Sequence, residues 1–523
     1  MIVTLANLEV PLAESDLRPA AARRLGLKAE DICSVRILRR SVDARQHRCL
    51  KFVCSVAVEL PARFTPPGSA RAEPFRPPAL PVMPRVPLEG AAPVVVGAGP
   101  AGLFAALALA EAGLAPVIVE RGKPAVERAA DVRRFWDRGE LDPESNLYFG
   151  EGGAGTFSDG KLNTRSKNPW VAKILHEFVA SGAPENILYD AQPHLGTDRL
   201  LKLLPALRQR LLVLGATFRF GTCLTGLRHL TGGQGLEVCL GDDWTRAYPL
   251  VLACGHSAFD SYRMLAAHGV ALATKGNAIG CRIEHPADFI TGHFYGRDPL
   301  ARQILGNASY NLAVPVAAGA GSVFTFCCCP GGEVMACSAN PGQVSVNGMS
   351  FSKREAPFTN AGLVTSVEPV EIADSALGAL LWREALEKSC FAAGGGGFAL
   401  PGQRAVDFRR GQPSTTLPEN SNRRPSVAAD LGALLPVAIV RRLCQGLEAI
   451  EKKVPGWIDN GLLLGIETTT SAPLRILRTL RGESESWPGL LPVGEGSGYA
   501  GGIVTSALDG YQTVAIWLGG GPG

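Results

Sequence analysis

VVVGAGPAGLFAALALAEAGLAPVIVE, Val94 to Glu120, decides the fold. Three valines run into Gly97, Gly99 and Gly102, an Ala/Leu-rich helical run follows, and a second apolar strand closes on Glu120. This is the strand, turn, helix, strand grammar of a dinucleotide-binding βαβ unit. The first glycine permits the tight turn, the second lets backbone approach a pyrophosphate, and the third allows the helix to pack closely on the strand. Phosphates are expected at the helix N-terminus, around Pro100 and Ala101, where free N–H groups and the helix dipole favour an anion. Glu120, followed by Arg121, is placed to accept the ribose hydroxyls of an adenosine.

Working outward, the unit starts late. Residues 1–61 read as a small α/β unit: a strand (MIVTLANLEV), a helix (SDLRPAAARRLGL) and two alternating strands (ICSVRILRRSV and CLKFVCSVAVEL). Residues 62–92 are rich in proline, which lacks an amide donor and disfavours helix in the residue before it, and are expected to form an extended linker. YPLVLACG (248–255) and GLLPVGEGSGYAGGIVTSALDGYQTVAIW (489–517) repeat the strand, glycine, helix grammar of the first unit. The expected architecture is therefore α/β. A Rossmann-like domain is assembled from discontinuous segments, 93–260 and 461–523, with an inserted α+β substrate domain over 261–460 and the small N-terminal α/β domain ahead of both.

NAD and FAD share the glycine fingerprint, and the remainder of the chain decides between them. NAD needs no return visit some hundreds of residues later; FAD does, because its ribityl chain and isoalloxazine extend past the first βαβ unit. Gly494, Glu495, Gly501, Gly502 and Ile503 supply that second contact, with a helix N-terminus facing the flavin pyrimidine, where negative charge develops on reduction. FAD is the expected cofactor. The loop GEGGAGT, through Gly152, Gly153, Ala154, Gly155 and Thr156, is expected along the flavin near N5, and Gly255 turns the chain after the middle strand.

The sequence resembles the uncharacterised FAD-dependent dehydrogenases, a branch of the glutathione-reductase-like flavoproteins. The motifs that carry the resemblance are SVRILRRSVDAR (34–45), FGEGGAGTFSDGKL (149–162), CGHSAFD (254–260), GCRIEHP (280–286), FTFCCCPGGEV (324–334), NGMS (347–350), IETTTSAP (466–473) and VGEGSGYAGGI (493–503). The resemblance implies FAD and a redox role with no fixed substrate, and implies that the small N-terminal domain belongs to the design. Against that family's pattern Cys254 stands for threonine, Cys328 for methionine, and Phe259 and Thr469 for arginines. Loss of two expected cations implies a less anionic or more apolar ligand than the family's general one.

Five residues are candidates for the chemistry. Lys161, beyond the glycine loop, would stabilise an anion if it points inward, and with Asp159 it would otherwise form an exposed salt pair. In AIGCRIEHP, Ile279, Cys281 and Ile283 alternate with polar positions, the pattern of a half-buried strand with Arg282 and Glu284 on one face. Arg282 there would clamp a carboxylate, or pair within the protein. His256 and His285 are candidate acids or bases, or structural histidines. Cys327 to Cys329 read as small packing residues in an apolar strand. The absence of cysteine from Arg121 to Thr222 argues against a disulfide reductase of the kind that carries its pair after the first βαβ unit.

The remaining features set bounds. The chain has 523 residues, net charge +4, 46% hydrophobic and 19% charged residues, a globular composition. Residues 1–92 carry 14 Lys+Arg against 9 Asp+Glu, or +5, leaving −1 elsewhere, a solvated basic face rather than a nucleic-acid site. Thirteen irregularly spaced cysteines, with no Cys-x-x-Cys pair, secretory leader or membrane span, point to reduced thiols, a cytoplasmic location and no metal. The expected partner is a small organic substrate oxidised at a C–C, C–O or C–N centre, with electrons passing to an external acceptor or arriving from a transient NAD(P)H. Flavin monooxygenation and an RNA-associated flavoprotein are the alternatives; the first lacks its usual Asp-Gly at Ala253 to His256.

Overall fold

The computed structural model describes residues 1–45, 50–61, 64, 73–76, 79–87, 90–230, 235–316 and 321–519. Its first unit contains β1 (Ile2–Pro11), α1 (Arg18–Leu25), β2 (Ser34–Asp43) and β3 (Lys51–Glu59). The antiparallel sheet is ordered β2, β3, β1, with the two-residue strand Glu73–Pro74 on its outer edge. Its own core of Val3, Leu5, Ala21, Leu25, Val56 and Val58 follows the period-two and helical patterns of the sequence. Most of the proline-rich segment lies outside the described residues. Where the chain is described again, the Val86 N–H donates to the Ala112 carbonyl at 3.0 Å, and Met83 is buried.

The nucleotide-binding frame contains β4 (Val94–Val96), α2 (Pro100–Glu111), β5 (Val117–Glu120), β6 (Thr217–Phe220) and β7 (Leu250–Leu252), and its last elements lie at the C-terminal end of the chain. The last strand, Leu490–Pro492, pairs outside β7, giving a parallel five-stranded sheet: Leu490–Pro492, β7, β4, β5, β6. Parallel strands need long crossovers and are covered on both faces, which is why Val94–Val96, Leu250–Leu252 and Leu490–Pro492 are apolar throughout. A three-stranded antiparallel sheet over 224–247 sits between β6 and β7 in the chain.

The substrate-side unit is built on a seven-stranded sheet whose centre is β8 (Asn277–Pro286), β9 (Ser322–Cys329), β10 (Phe358–Val367) and β11 (Leu462–Glu467). Their order is β9, β10, β8, β11, continued by Leu400–Arg404 on one side and by Ala313–Pro315 on the other. The boundary expected at 460/461 is corrected by this pairing: β11 is hydrogen-bonded to β8 and to Leu400–Arg404, so the chain returns to the nucleotide frame only after it. The crossings between the units run side by side, Leu272–Thr274 pairing antiparallel with Leu474–Ile476. The chain then completes the frame with β12 (Leu490–Pro492) and α3 (Ile503–Trp517). Among the described residues no helix is long and apolar enough to cross a membrane.

Candidate flavin and substrate site

Two helices start at one cavity. α2 begins behind Gly99 and α3 behind Gly502, and neither has a side chain capping its first turn. Their N-terminal amides are left for an external acceptor. The cavity, about 510 Å³, is lined by Gly97, Gly99, Pro100, Ala101, Glu120 and Arg121 of the first segment; by Gly255 after the middle strand; and by Glu495, Gly501, Gly502 and Ile503 of the last. Gly153, Ala154 and Gly155 close it from the glycine loop. A Cβ built on Gly255 or Gly501 would meet no protein atom within 4 Å, so both face open space rather than packing. The cradle suits an extended dinucleotide with its phosphates between two helix ends, and the residues present fit FAD.

Other glycines expected at the cofactor serve the frame behind it, and Gly97 does so while also lining the wall. Gly97 has φ +103°, and a Cβ there would come within 2.3 Å of the Ala253 carbonyl oxygen. A Cβ on Gly102 would lie 1.8 Å from the Gly97 oxygen, and one on Gly494 2.5 Å from the Ala101 Cβ. Gly102, Gly152, Thr156 and Gly494 do not line the cavity; they allow its walls to touch.

Glu120 departs from its expected use. One carboxylate oxygen accepts the N–H groups of Gly122 and Gly150, each at 2.9 Å, and the other accepts Ala98 N–H at 2.8 Å. It thereby ties both glycine loops to the end of β5 and keeps only part of its acceptor capacity for a ribose. Arg128 was not legible in the sequence. Fully buried, it donates to the carbonyls of Asn146, Leu147, Glu151 and Gly153 at 2.8 to 2.9 Å, holding the glycine loop from beneath.

Of the five chemical candidates, Lys161 and His256 line the cavity. Lys161 donates to the Cys328 carbonyl and forms no ion pair with a carboxylate among the described residues. Burial pulls its pKa down, but the neighbouring thiols and Asp159 outweigh that and raise it, so it stays charged. Asp159 is not an exposed partner of Lys161: it is fully buried and held by Arg354 and by the Ser350 hydroxyl. Arg354 also lines the cavity. His256 Nδ1 lies 2.8 Å from the Ser257 hydroxyl. Burial, then the Arg383 charge, push its pKa down to about 3, leaving a neutral imidazole.

Arg282, Glu284 and His285 do not line the cavity, and the expectation of a half-buried strand fails with them. β8 is central in its sheet, and all of Ile279 to His285 is buried. Arg282 ion-pairs with Glu467 at 3.1 Å, donates to Asn360 at 2.8 Å, and is wholly enclosed. Glu284 accepts the Ser421 N–H at 3.0 Å and the Ser421 hydroxyl; burial raises its pKa to about 7. His285 Nε2 sits 2.9 Å from the Trp457 carbonyl, with its ring against Trp457 and Phe289 and its pKa lowered to about 4 by burial. None of the three lines the cavity, and their polar contacts are made within the protein.

Two residues read as packing are on the cavity wall instead: Cys327 and Cys328. The strand β9 carries a bulge between Phe326 and Cys329 in its pairing with β10, and Cys327 has φ +47°. A bulge turns side chains out of strict alternation, which no pattern in FTFCCC announces. Phe259, one of the two positions where the resemblance implies an arginine, is buried away from the cavity with the Arg383 guanidinium over its ring; Thr469, the other, lines the wall.

Comparison with known proteins follows the same division of the chain. Residues 276–470 match a family described as FAD-dependent protein, C-terminal domain-like; residues 91–130 match an FAD binding domain; residues 1–59 match a domain of unknown function. An uncharacterized protein of Clostridium beijerinckii (strain ATCC 51743 / NCIMB 8052) is 36% identical over 533 residues, covering 98% of each chain. Among solved structures, CtdE in complex with FAD is 10% identical with a TM-score of 0.31, covering 82% of this chain and 84% of that one. The glycine oxidase of Geobacillus kaustophilus is 15% identical with a TM-score of 0.32, covering 82% and 95%. Identity across nearly the whole of both chains makes this chain a member of the Clostridium protein's family, and the two flavin-domain matches make it an FAD-dependent protein, with FAD as its cofactor.

Proposed function

We propose that the protein is a dehydrogenase of small organic molecules carrying a carboxylate, within the glutathione-reductase-like group of flavoproteins. The observation that carries the substrate class is the charge balance of the cavity wall. Among the described residues its Lys/Arg side chains are Arg121, taken by Glu144 and Asp260, Arg354, taken by Asp159, and Lys161, which donates to a backbone carbonyl and has no carboxylate within ion-pair distance. A half-buried cation without a counter-ion favours an anionic ligand group.

FAD, held by the first turns of α2 and α3, Glu120, Glu495 and the loop through Gly153 to Gly155, supplies the two-electron acceptor when bound. Lys161 binds and orients the carboxylate. The Arg354–Asp159 pair fixes the wall beside it, and Asn163, Ser309, Asn311 and Asn347 offer neutral hydrogen bonds to the rest of the molecule. His256, kept neutral, offers an uncharged ring at the wall. Glu495, whose pKa burial raises to about 7 against the opposing charges of Lys275 and Arg383, is a carboxyl able to hold or release a proton near neutral pH.

The test is anaerobic bleaching of the flavin by a panel of amino acids, hydroxy acids and their amides. Carboxylates are expected to bleach and amides not. Lys161→Gln is expected to raise the half-saturating carboxylate concentration about ten-fold or more at unchanged flavin content, the cost of about 1.5–3 kcal/mol for one charged hydrogen bond. Bleaching by neutral analogues as readily as by acids would exclude the carboxylate class. Oxygen uptake during turnover separates an oxidase or monooxygenase from a dehydrogenase.

A further inference from the structure

We propose that His256 donates its Nε2 hydrogen to bound FAD, and that a buried chain of Glu387, Arg383 and Ser257 holds the imidazole in the tautomer able to do so. This goes beyond the substrate reading above and holds whichever substrate the cavity takes.

His256 stands where a dinucleotide must pass. It follows Gly255, just past the carboxyl end of β7, and β7 lies between β4 and β12 in a parallel sheet whose ligands bind beyond that end. The Tyr262 hydroxyl lies 3.0 Å from the Gly255 carbonyl and 2.7 Å from that of Gly496, tying this turn to the segment that opens α3. His256 lines the cavity although only 6% of it is exposed. Its Nε2 has no protein partner among the described residues and is not sealed from space, so it opens on the cavity.

The other ring nitrogen decides which atom carries the hydrogen. Nδ1 lies 2.8 Å from the Ser257 hydroxyl, which also accepts an N–H of Arg383 at 3.0 Å. Arginine only donates, so Ser257 keeps its single hydrogen to give. Among the described residues the buried hydroxyl has no acceptor besides Nδ1, and a hydrogen on Nδ1 would leave that of Ser257 unpaired. Nδ1 therefore accepts, and Nε2 bears the hydrogen.

The chain behind Ser257 is itself anchored. Arg383, on the helix Ala376–Ala393 of the inserted module, donates to the His256 carbonyl at 2.7 Å and to Glu387 at 2.8 Å. The same Glu387 oxygen accepts the Thr468 hydroxyl at 2.7 Å. From the other side the Tyr148 ring meets the imidazole edge to face at 5.4 Å, with its own hydroxyl 2.7 Å from that of Ser345. Burial, then the Arg383 charge, oppose protonation, and the residue's own carbonyl favours it more weakly. The ring is thus a neutral donor of fixed direction, which suits an acceptor oxygen or nitrogen of the cofactor.

The test observes full-length protein carrying 15N in its histidine rings by NMR, flavin-free and loaded with FAD, between pH 5 and 8. Non-titrating signals of the Nε2–H tautomer are expected from His256 and from His285, whose Nε2 faces the Trp457 carbonyl away from the cavity. FAD is expected to move the Nε2 proton of His256 downfield and to leave that of His285 in place. Calorimetric titration with FAD supplies a second readout. His256→Phe and His256→Asn, which put no donor at the Nε2 position, are expected to weaken binding about ten-fold, and His256→Gln, whose amide reaches it, to restore most of that. Ser257→Ala is expected to mix the tautomers and weaken FAD binding, and Ser257→Thr to preserve both. A charged or Nδ1–H imidazole at His256, no response of its signal to FAD, or equal affinities for the Gln and Phe variants overturns the proposal. The wild-type spectra decide alone if the variants fail to fold.

Discussion

The Gly152 N–H donates to the Ala98 carbonyl at 2.8 Å, joining the loop after Phe149 to the loop that opens α2. Two stretches more than fifty residues apart thus form one surface, and the glycines around the cavity divide into those where a Cβ would strike protein and those where it would meet none.

That division predicts opposite outcomes for the same substitution. Gly97→Ala places a Cβ 2.3 Å from the Ala253 oxygen at φ +103° and is expected to cost about 2–4 kcal/mol, read as a fall in the thermal midpoint of the flavin-free protein. Gly501→Ala meets nothing within 4 Å and is expected to leave that midpoint within a degree or two while weakening FAD retention on dialysis. Equal midpoints for the two variants would contradict the division.

Arg128→Met removes the donors to four carbonyls in a fully buried site, Asn146 and Leu147 ahead of the glycine loop and Glu151 and Gly153 within it. The expected loss is about 3–5 kcal/mol, because buried acceptors are left unpaired. Denaturant unfolding measures it, and proteolysis should begin within 146–156.

The Arg282–Glu467 pair is fully enclosed, and its two halves are expected to be non-additive. Arg282→Met alone strands a carboxylate and should cost about 3–5 kcal/mol; Arg282→Met with Glu467→Leu should recover most of it. A double-mutant cycle with no coupling would show the pair to be incidental.

Glu284 gives a pH signature. Burial raises it from 4.5 to about 7, so the folded state binds its proton more tightly than the unfolded chain. Its contribution is fully present below about pH 4.5 and is lost as pH rises through about 7, to an extent of about 3 kcal/mol at most. Glu284→Gln should flatten that part of the stability curve, as measured by urea midpoints between pH 5 and 8.

The nucleotide frame was legible because its signals are local. A glycine turn must sit at fixed offsets from its strand and helix, and Gly97 to Gly102 and Gly494 to Gly502 do so without reference to anything distant. Lys161 and His256 could be named because they flank such turns. Arg282, Glu284 and His285 misled because alternation within β8 says nothing of whether the sheet is covered on one face or both; the burial of every residue from Ile279 to His285 shows both faces covered, which depends on what packs against the sheet. Cys327 escaped because a bulge depends on the register of two strands, and Arg128 because its partners lie in a loop that has no signature of its own.

The crossing between units has a practical corollary. The Leu477 N–H donates to the Ala271 carbonyl at 2.9 Å, so the polypeptide departs for the β8–β11 sheet and comes back at neighbouring points. An inserted module with adjacent ends is a cassette. Exchanging it at Ala271 and Leu477 would keep the ladder of the flavin frame but remove Arg354 and Ser350, the partners of the buried Asp159, so a replacement module must supply both.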